Sequence, residues 1–382
     1  MKRTSLMIAV LGIFLAAQAA QAQWTPAKRL TWTSGASYYP AVAVDSSGNV
    51  YVVWQDDTLG NFEIYHKNST DGGTTWTQSK RLSTTSGGSA YPTIAVDASG
   101  DLHAFWHDDT PGNSEIYYRK SSDGGATWST SKRLTWTPGG SFGPVTVFDS
   151  QGNFHMVWYD ETPANHEIYY TKSTDGGITW STSKRLTWTS GGSYLPVIAV
   201  DSSDNLHVVW YDHTPGNSEI YYKKSSNGGA TWTPSQRLTW TSGYSSCPVI
   251  AVDASGNLHV VWSDETPGNA EIYYVNSPDG GTTWATSKRL TWNAGASVYP
   301  AIAVDSLGNP HVVWHDNTSG DSEVYYKSSP DGGASWTTSK RLTMTSGGSY
   351  VPAIAVDSSD NLHLVWMDTA PGNLEIYYMK GK

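Results

Sequence analysis

The chain has 382 residues, a formal net charge of −10, one cysteine, 19 tryptophans and 23 tyrosines. A surface of this sign does not attract nucleic acid or anionic lipid, and a single cysteine excludes an intramolecular disulfide. Stability must therefore come from packing, to which large aromatic side chains contribute most area.

Residues 1–22 have the pattern of a secretory leader. Two basic residues precede an apolar run over residues 6–17, which is too short to span a bilayer, and Ala-Gln-Ala at 20–22 has the small-x-small form of a cleavage site. We predict cleavage before Gln23, a mature chain of 360 residues with a net charge of −12, and export to the periplasm or the medium. No later segment is apolar enough to insert into a membrane.

The mature chain is one unit of 52 residues written seven times. The dipeptide Arg-Leu begins at Arg29, Arg81, Arg133, Arg185, Arg237, Arg289 and Arg341. The same interval separates Trp54, Trp106, Trp158, Trp210, Trp262, Trp314 and Trp366. No insertion breaks the phase, so residues 23–382 are predicted to form a single domain.

Each unit predicts four short strands and no helix. In one unit we place strand A at residues 196–201, strand B at 206–212, strand C at 219–225 and strand D at 230–240. A lone unit of this size cannot bury its sheet faces, whereas radial stacking of such units does so. The sequence therefore predicts an all-β, seven-bladed β-propeller with four-stranded blades.

The two ends of the chain predict how the ring closes. Residues 24–30 (WTPAKRL) match strand D, whereas the last unit stops after strand C. Seven periods from Trp24 would end at residue 387, so the missing residues fall at the turn between strands C and D. We predict that the N-terminal strand completes the closing blade, which leaves no open sheet edge there.

The turn between strands C and D carries the pattern S-x-D-G-G-x-[TS]-W in five units, and a sixth copy has Asn for Asp. This pattern resembles the Asp-box (BNR repeat) of the sialidase superfamily, and the resemblance covers essentially the whole mature chain. In that family the box is structural and lies away from the active site. A short carboxylate can also accept hydrogen bonds from the backbone of its own turn. Both arguments assign a folding role to Asp71, Asp123, Asp175, Asn227, Asp279 and Asp331.

The resemblance implies three further features: an arginine triad on the substrate carboxylate, a Tyr–Glu nucleophile pair and an aspartic acid/base. The aspartate position, which follows strand B, is filled in every unit, by Asp56, Asp108, Asp160, Asp212, Asp264, Asp316 and Asp368. A catalytic acid has to be unique, so a cap on the loop between strands B and C is the alternative role for these residues.

The arginine triad is not found. The family places one of these arginines two residues before the strand-A proline, where this chain has Tyr38, Ala90, Phe142, Tyr194, Ser246, Val298 and Tyr350. Seven of the eight mature-chain arginines belong to strand D, the outermost strand. We therefore predict no catalytic residues, no cofactor and no metal site; the histidines that recur in strand B are interpreted as packed side chains.

The loops between strands D and A carry a second recurring feature. Trp32, Trp136, Trp188, Trp240 and Trp292 share one position, directly after Arg-Leu-Thr. Flat aromatic rings beside Asp and Asn suit sugars, which offer apolar faces and hydroxyl edges. The alternative is that these tryptophans pack between blades. With the seven aspartates that follow strand B, they form the predicted ligand-binding set.

Two variable positions are predicted at the rim of the central funnel. They are the pair before the strand-A proline and the residue after the strand-B tryptophan. Variation there either tunes a ligand site or reflects permissive packing.

These observations predict an exported, non-catalytic, monomeric propeller that binds an extracellular ligand, most plausibly glycan, through repeated sites. The alternatives are a glycoside hydrolase of the sialidase superfamily and a scaffold for protein assembly.

Overall fold

The computed structural model describes residues 22–382. Most of the predicted leader therefore lies outside the described residues. The described chain folds into seven antiparallel four-stranded sheets and contains no helix. Accordingly, no helix within residues 22–382 could span a membrane. The predicted seven-bladed, all-β architecture is confirmed.

The strands follow one another in the order A, B, C, D from the axis outward. The first strand is β1 (Lys28–Arg29). Blades 1 and 2 contain β2 (Ser37–Val44), β3 (Val50–Asp56), β4 (Glu63–Ser69) and β5 (Lys80–Arg81), then β6 (Ser89–Val96), β7 (Leu102–Asp108), β8 (Glu115–Ser121) and β9 (Lys132–Arg133). Blades 3 and 4 contain β10 (Ser141–Phe148), β11 (Phe154–Asp160), β12 (Glu167–Ser173) and β13 (Lys184–Arg185), then β14 (Ser193–Val200), β15 (Leu206–Asp212), β16 (Glu219–Ser225) and β17 (Gln236–Arg237). Blades 5 and 6 contain β18 (Ser245–Val252), β19 (Leu258–Asp264), β20 (Glu271–Ser277) and β21 (Lys288–Arg289), then β22 (Ser297–Val304), β23 (Pro310–Asp316), β24 (Glu323–Ser328) and β25 (Lys340–Arg341). Blade 7 contains β26 (Ser349–Val356), β27 (Leu362–Asp368) and β28 (Glu375–Gly381).

The hydrophobic core lies between neighbouring blades. Strand B is buried along almost its whole length, because each sheet packs between two neighbouring sheets, one on each face. Val209 and Ile220 of blade 4, for example, pack in one cluster with Val260 and Trp262 of blade 5. The apolar, β-branched sequence of strand B is what burial on two faces requires. A single blade could not form this core alone.

Strand A begins three residues earlier than predicted and contains a bulge. In β14, Tyr194 pairs with Tyr211 and Val197 pairs with Val209, so Leu195 and Pro196 together oppose one residue. Leu195 has a φ of 45°, in the left-handed region. The same backbone conformation recurs before the strand-A proline in all seven blades. The bulge turns these side chains toward the axis of the ring.

Strand D is much shorter than the predicted residues 230–240, since only Gln236–Arg237 pairs as a strand. The rest of the segment still follows strand C, but threonine hydroxyls replace backbone carbonyls as acceptors. The Ile220 N–H donates to Thr239 Oγ1 and the Lys224 N–H donates to Thr233 Oγ1. Side-chain oxygens therefore satisfy the outer edge of strand C where the ladder stops.

The ring is closed by the N-terminal strand, as predicted. β1 pairs antiparallel with β28, with Lys28 opposite Tyr378. Gln23 and Lys382 exchange backbone hydrogen bonds of 2.7 and 2.9 Å. Trp24 packs edge-on against Tyr326 of blade 6, at 5.2 Å between ring centroids. The last blade thus has the same four-stranded form as the others.

The Asp-box turns have the hydrogen bonds that the sequence predicts. Asp71 Oδ1 accepts from the Thr75 N–H at 2.8 Å and from the Ser69 hydroxyl at 2.7 Å. The Ser69 hydroxyl accepts from the Gly73 N–H. In the sixth copy, Asn227 Oδ1 accepts from the Thr231 N–H at 2.9 Å, so the amide replaces the carboxylate.

The tryptophan of the Asp-box joins two blades. Trp76 of blade 1 packs edge-on against Tyr378 of blade 7 at 5.0 Å between ring centroids. Trp232, Trp284 and Trp336 make the same contact with the preceding blade. The box is therefore a contact between blades as well as a turn.

Candidate functional site

The five tryptophans that follow Arg-Leu-Thr are the most exposed large aromatic side chains of the described chain. Their exposed fractions are 67% for Trp32 and Trp292, 69% for Trp136 and Trp188, and 71% for Trp240. The alternative that they pack between blades is wrong. They lie at the outer rim of one face of the ring, on the loops that lead from strand D to strand A.

Buried neighbours fix the backbone on both sides of each tryptophan. In the closing blade, Arg29 Nε donates to the Thr31 carbonyl at 2.6 Å, and the Thr33 N–H donates to Glu375 Oε1 at 2.9 Å. Thr31 is buried, and its hydroxyl accepts from the N–H of Ile376. Trp32 therefore projects from a segment that is held in place on either side.

One side of each indole contacts a guanidinium group. The Arg29 guanidinium carbon lies 5.5 Å from the Trp32 ring centroid, and the other four pairs lie at 5.5–5.8 Å. In three blades a lysine of the next blade also approaches, as Lys223 Nζ does at 5.9 Å from Trp188. These cations orient the indole by cation–π attraction while most of the ring stays in solvent.

The remaining two blades lack this aromatic platform. Blade 1 has Thr84 at this position, and blade 6 has Met344, which is 77% exposed. Five near-equivalent platforms are therefore distributed around a seven-fold ring.

The seven aspartates that follow strand B lie inside their blades. Their exposed fractions are 2% or less. In blade 1, Asp56 Oδ2 accepts from the Ser37 hydroxyl at 2.7 Å and Oδ1 accepts from the Thr58 N–H at 2.9 Å. These hydrogen bonds are those of a cap on the loop between strands B and C. The structure does not bring the aspartates to the surface beside the tryptophans.

The axis of the ring holds a separate cavity of about 260 Å³. Its lining includes the residue before each strand-A proline, namely Tyr39, Tyr91, Gly143, Leu195, Cys247, Tyr299 and Val351. The lining is mostly apolar, and burial raises the pKa of the Cys247 thiol to about 11. The predicted position at the central funnel is confirmed for the residue directly before each strand-A proline.

A family model for the BNR repeat-like domain matches residues 62–312 and 190–377. The chain belongs to the BNR repeat-like family. Comparison with curated proteins gives no sequence match. Several solved structures share the fold of this BNR-repeat propeller at low sequence identity.

An ulvan lyase, a polysaccharide lyase solved with a saccharide ligand, is 14% identical, with a TM-score of 0.67 over 92% of this chain and 95% of that one. An α-L-arabinofuranosidase from Fusarium graminearum is 16% identical, with a TM-score of 0.57 over 77% and 92%. The NanB sialidase from Streptococcus pneumoniae is 14% identical, with a TM-score of 0.52 over 92% and 70%.

The arginines of this BNR-repeat propeller are used within the blades. Each strand-D arginine donates to the glutamate that begins strand C, as Arg185 Nη2 does to Glu167 Oε1 at 2.7 Å. The glutamates are fully buried, whereas the arginines are 25–33% exposed. Arg119 Nε donates to the Ser131 hydroxyl. The structure therefore gives these arginines partners other than a substrate carboxylate.

The strand-B histidines are packed side chains, as interpreted from the sequence. His155 Nδ1 lies 2.7 Å from the Tyr170 hydroxyl, and Nε2 lies 3.1 Å from Asp149 Oδ2. Burial lowers the pKa of the histidine despite this carboxylate. The contact between Nδ1 and the tyrosine hydroxyl recurs in the other blades that have this histidine. Blade 1 exchanges the two residue types by placing Tyr51 in strand B and His66 in strand C.

Proposed function

We propose that the protein is an exported, non-catalytic and multivalent carbohydrate-binding propeller. The observation that carries the proposal is the set of five tryptophans, each about two-thirds exposed and held in the same local geometry. Exposed indoles at equivalent positions around a rigid ring suit a ligand that repeats along its own length. A polysaccharide is such a ligand.

The chemistry of the platform favours a sugar over other ligands. An indole offers a flat apolar surface to the C–H face of a pyranose ring. The guanidinium beneath it is already paired with a buried glutamate, and the lysine that approaches three of the indoles donates to a backbone carbonyl. Together with the net charge of −10, this pairing disfavours strongly anionic polymers.

Several weak sites on one rigid body increase affinity through avidity. When one tryptophan is bound to a polysaccharide, the next binding event is intramolecular, with an effective concentration set by the distance between sites. We therefore propose that the protein binds polysaccharides, or surfaces dense in glycan, more tightly than short oligosaccharides.

The buried aspartates support a role in binding rather than hydrolysis. Each carboxylate accepts hydrogen bonds within its own blade, and the seven environments are alike. Glycoside hydrolysis requires two carboxyl groups with different roles at a defined separation. We propose in addition that the leader is removed on export and that the mature protein is a monomer.

A glycan array, followed by titration of immobilised polysaccharide, tests this proposal. We expect binding by the native protein and a large loss of affinity for the immobilised polysaccharide in a variant with all five tryptophans replaced by alanine. Leu307→Ala, which removes an 82% exposed apolar side chain from a turn between strands A and B, is the control and should bind normally. Absence of binding to any glycan at high protein density would refute the proposal, and turnover of a glycoside would establish the hydrolase alternative.

A further inference from the structure

Blades 3 and 4 depart from the repeat on the face that carries the tryptophans. In the loop between strands B and C of blade 3, Ala164 occupies a left-handed position, with a φ of 77°, at which the other six blades have glycine. His166 follows two residues later, where the other blades have Phe, Ser, Ala or Leu. The corresponding loop of blade 4 carries His213, where the other blades have Asp, Glu, Asn or Thr.

These substitutions complete a continuous cluster of rings, which we call the aromatic arc. Within blades 3 and 4 it consists of Phe142, Tyr159, His166, Tyr194, Tyr211 and His213, and Phe142 also contacts the ring of His107 in blade 2. Tyr194 is at its centre, with ring centroids 4.6 Å from His166, 5.3 Å from Tyr211 and 5.2 Å from His213. Phe142 stacks on Tyr159 at 5.4 Å, with an interplanar angle of 24°.

Glycines make room for these rings. A side chain at Gly140 or Gly192 would collide with the ring of Phe142 or Tyr194, respectively, so each of these two rings lies directly on backbone. Gly143 replaces the larger residue that precedes the strand-A proline in other blades, and Tyr159 approaches it from the side. Five members of the arc remain partly exposed and His213 is exposed.

The edges of the arc carry hydrogen-bonding groups and little charge. His166 Nε2 lies 2.9 Å from Glu161 Oε1, and His213 Nδ1 lies 2.9 Å from the Ser218 hydroxyl. Burial and nearby acidic groups raise the pKa of Tyr194, and burial raises that of Tyr159 to about 12, so both phenols remain donors. The arc contains no arginine or lysine, and Glu161 at its edge repels anions.

We infer that the aromatic arc is a binding site for one neutral oligosaccharide chain, which lies across blades 3 and 4. Ring faces would contact the apolar faces of successive sugars, while phenol and imidazole groups hydrogen-bond to their hydroxyls. For its class of ligand this inference rests on the proposed function, but its site is different. The tryptophans repeat around the ring, whereas the arc occurs once.

The neighbouring blade shows why the site is single. In blade 5 the positions of Tyr194 and Tyr211 are held by Ser246 and Ser263, and the position of His166 is held by Ala270. No continuous set of rings can form from these side chains. In blade 7, Tyr350 remains, but Met367 stands in place of Tyr211 and Ser322 of blade 6 in place of His166, and the ring that contacts Tyr350 is His315 of blade 6. Tyr350 is therefore a matched control for Tyr194.

Isothermal titration with cellohexaose, xylohexaose, mannohexaose and laminarihexaose, one at a time, tests the inference. We expect one of these neutral hexaoses to bind with a stoichiometry of one per protein molecule. The double variant Tyr159→Ala/Tyr194→Ala should weaken that binding at least about tenfold, since it removes two of the ring faces that contact the sugars. The control Tyr350→Ala should leave it unchanged, as should replacement of all five rim tryptophans.

If the double variant does not fold, as judged by circular dichroism, the single variants His166→Ala and His213→Ala take its place, with a weakening of several-fold expected. Unchanged binding by the arc variants would overturn the inference, and so would failure of all four hexaoses or tighter binding of a charged trigalacturonate. Polysaccharide binding that disappears only in the five-tryptophan variant would overturn the arc and leave the proposed function standing. Polysaccharide binding that is lost in the arc variants alone would support the arc and overturn the role proposed for the rim tryptophans.

Discussion

The second glycine of each Asp-box turn is required by a neighbouring blade. Gly229 has a φ of 80°, and a side chain there would collide with the hydroxyl group of Tyr170 in the preceding blade. Gly216 also has a positive φ, of 98°, but no atom lies within 4 Å of the place where its Cβ would stand. Comparing alanine substitutions at Gly229 and Gly216 therefore separates the cost of backbone strain from the cost of steric collision.

We predict that Gly229→Ala destabilises the protein by about 2 kcal/mol more than Gly216→Ala, because both substitutions cost left-handed strain but only the first forces two blades apart. Urea denaturation of both variants gives the difference in the free energy of unfolding. Equal losses would show that the contact with Tyr170 does not constrain the turn.

Buried histidines make stability depend on pH. Burial lowers the pKa of His66 to about 3 and the pKa values of His107 and His315 to about 4, against about 6.5 in an unfolded chain. Because these folded-state pKa values lie below the unfolded value, the unfolded chain binds more protons as the pH falls. The stabilisation is present above about pH 6.5 and is lost below it.

We predict that the free energy of unfolding falls by about 1 kcal/mol for each such histidine between pH 6.5 and pH 5.5. Urea titrations at pH 7.5, 6.5 and 5.5 measure the slope. Aspartate protonation contributes little in this window, since ordinary aspartate pKa values lie near 4. A free energy that is constant from pH 7.5 to 5.5 would mean that these histidines are not buried in the neutral form.

The pairing of strands C and D depends on a buried ion pair as well as on backbone hydrogen bonds. Glu167 at the start of strand C is fully buried and accepts from the Arg185 side chain and from the Thr189 N–H. Removal of the arginine would leave a buried carboxylate without its counter-charge, which is costly in any apolar environment.

We predict that Arg185→Leu lowers the free energy of unfolding by about 3 kcal/mol. The matched control is Arg119→Leu, whose guanidinium donates to Ser131 near the surface and whose loss should cost about 0.5 kcal/mol or less. Thermal or urea unfolding compares the two. If both variants lose the same small amount, strand D does not depend on the ion pair.

The elements also show where prediction from the sequence reaches its limit. Strands B and C and the Asp-box turns follow from alternation, β-branched residues and turn chemistry, and the structure has them where predicted. Strand D is too long in the prediction because Thr233 and Thr239 substitute hydroxyls for ladder carbonyls, which no periodicity reveals. The bulge of strand A was missed because its left-handed residue is Leu, Tyr, Val or Cys in most blades, not glycine.

The sequence predicts where the residues of the candidate site lie in each repeat, but not which of their side chains face solvent. The repeat places the tryptophans at one phase, but only the fold shows that Trp188 is exposed while Asp212 is buried. The aromatic arc was not identified either, because its members come from four separate segments of two blades.

The whole molecule is held closed by the segment that contains β1. Leu30 is buried, the Leu30 N–H donates to the Ile376 carbonyl, and Trp24 packs on Tyr326. Without this strand the last blade would lack its outer edge and part of its contact with blade 6.

We predict that a chain beginning at Thr33 is at least about 4 kcal/mol less stable than one beginning at Gln23, since it loses a buried leucine, a tryptophan contact and a strand pairing. Differential scanning calorimetry of the two purified chains, with size-exclusion chromatography to detect association through the new edge, is the measurement. Identical melting temperatures would contradict closure by the N-terminal strand.

In the proposed function, the tryptophans of five blades act as equivalent, additive contacts on one rigid ring. The most direct measurement is binding of the native protein to an immobilised polysaccharide that it recognises, followed by the same titration for variants in which one, two, three, four and five of these tryptophans are replaced by alanine. We expect a stepwise loss of apparent affinity, several-fold at each replacement and independent of which tryptophan is removed first. A single replacement that abolishes binding, or five that leave it unchanged, would contradict it.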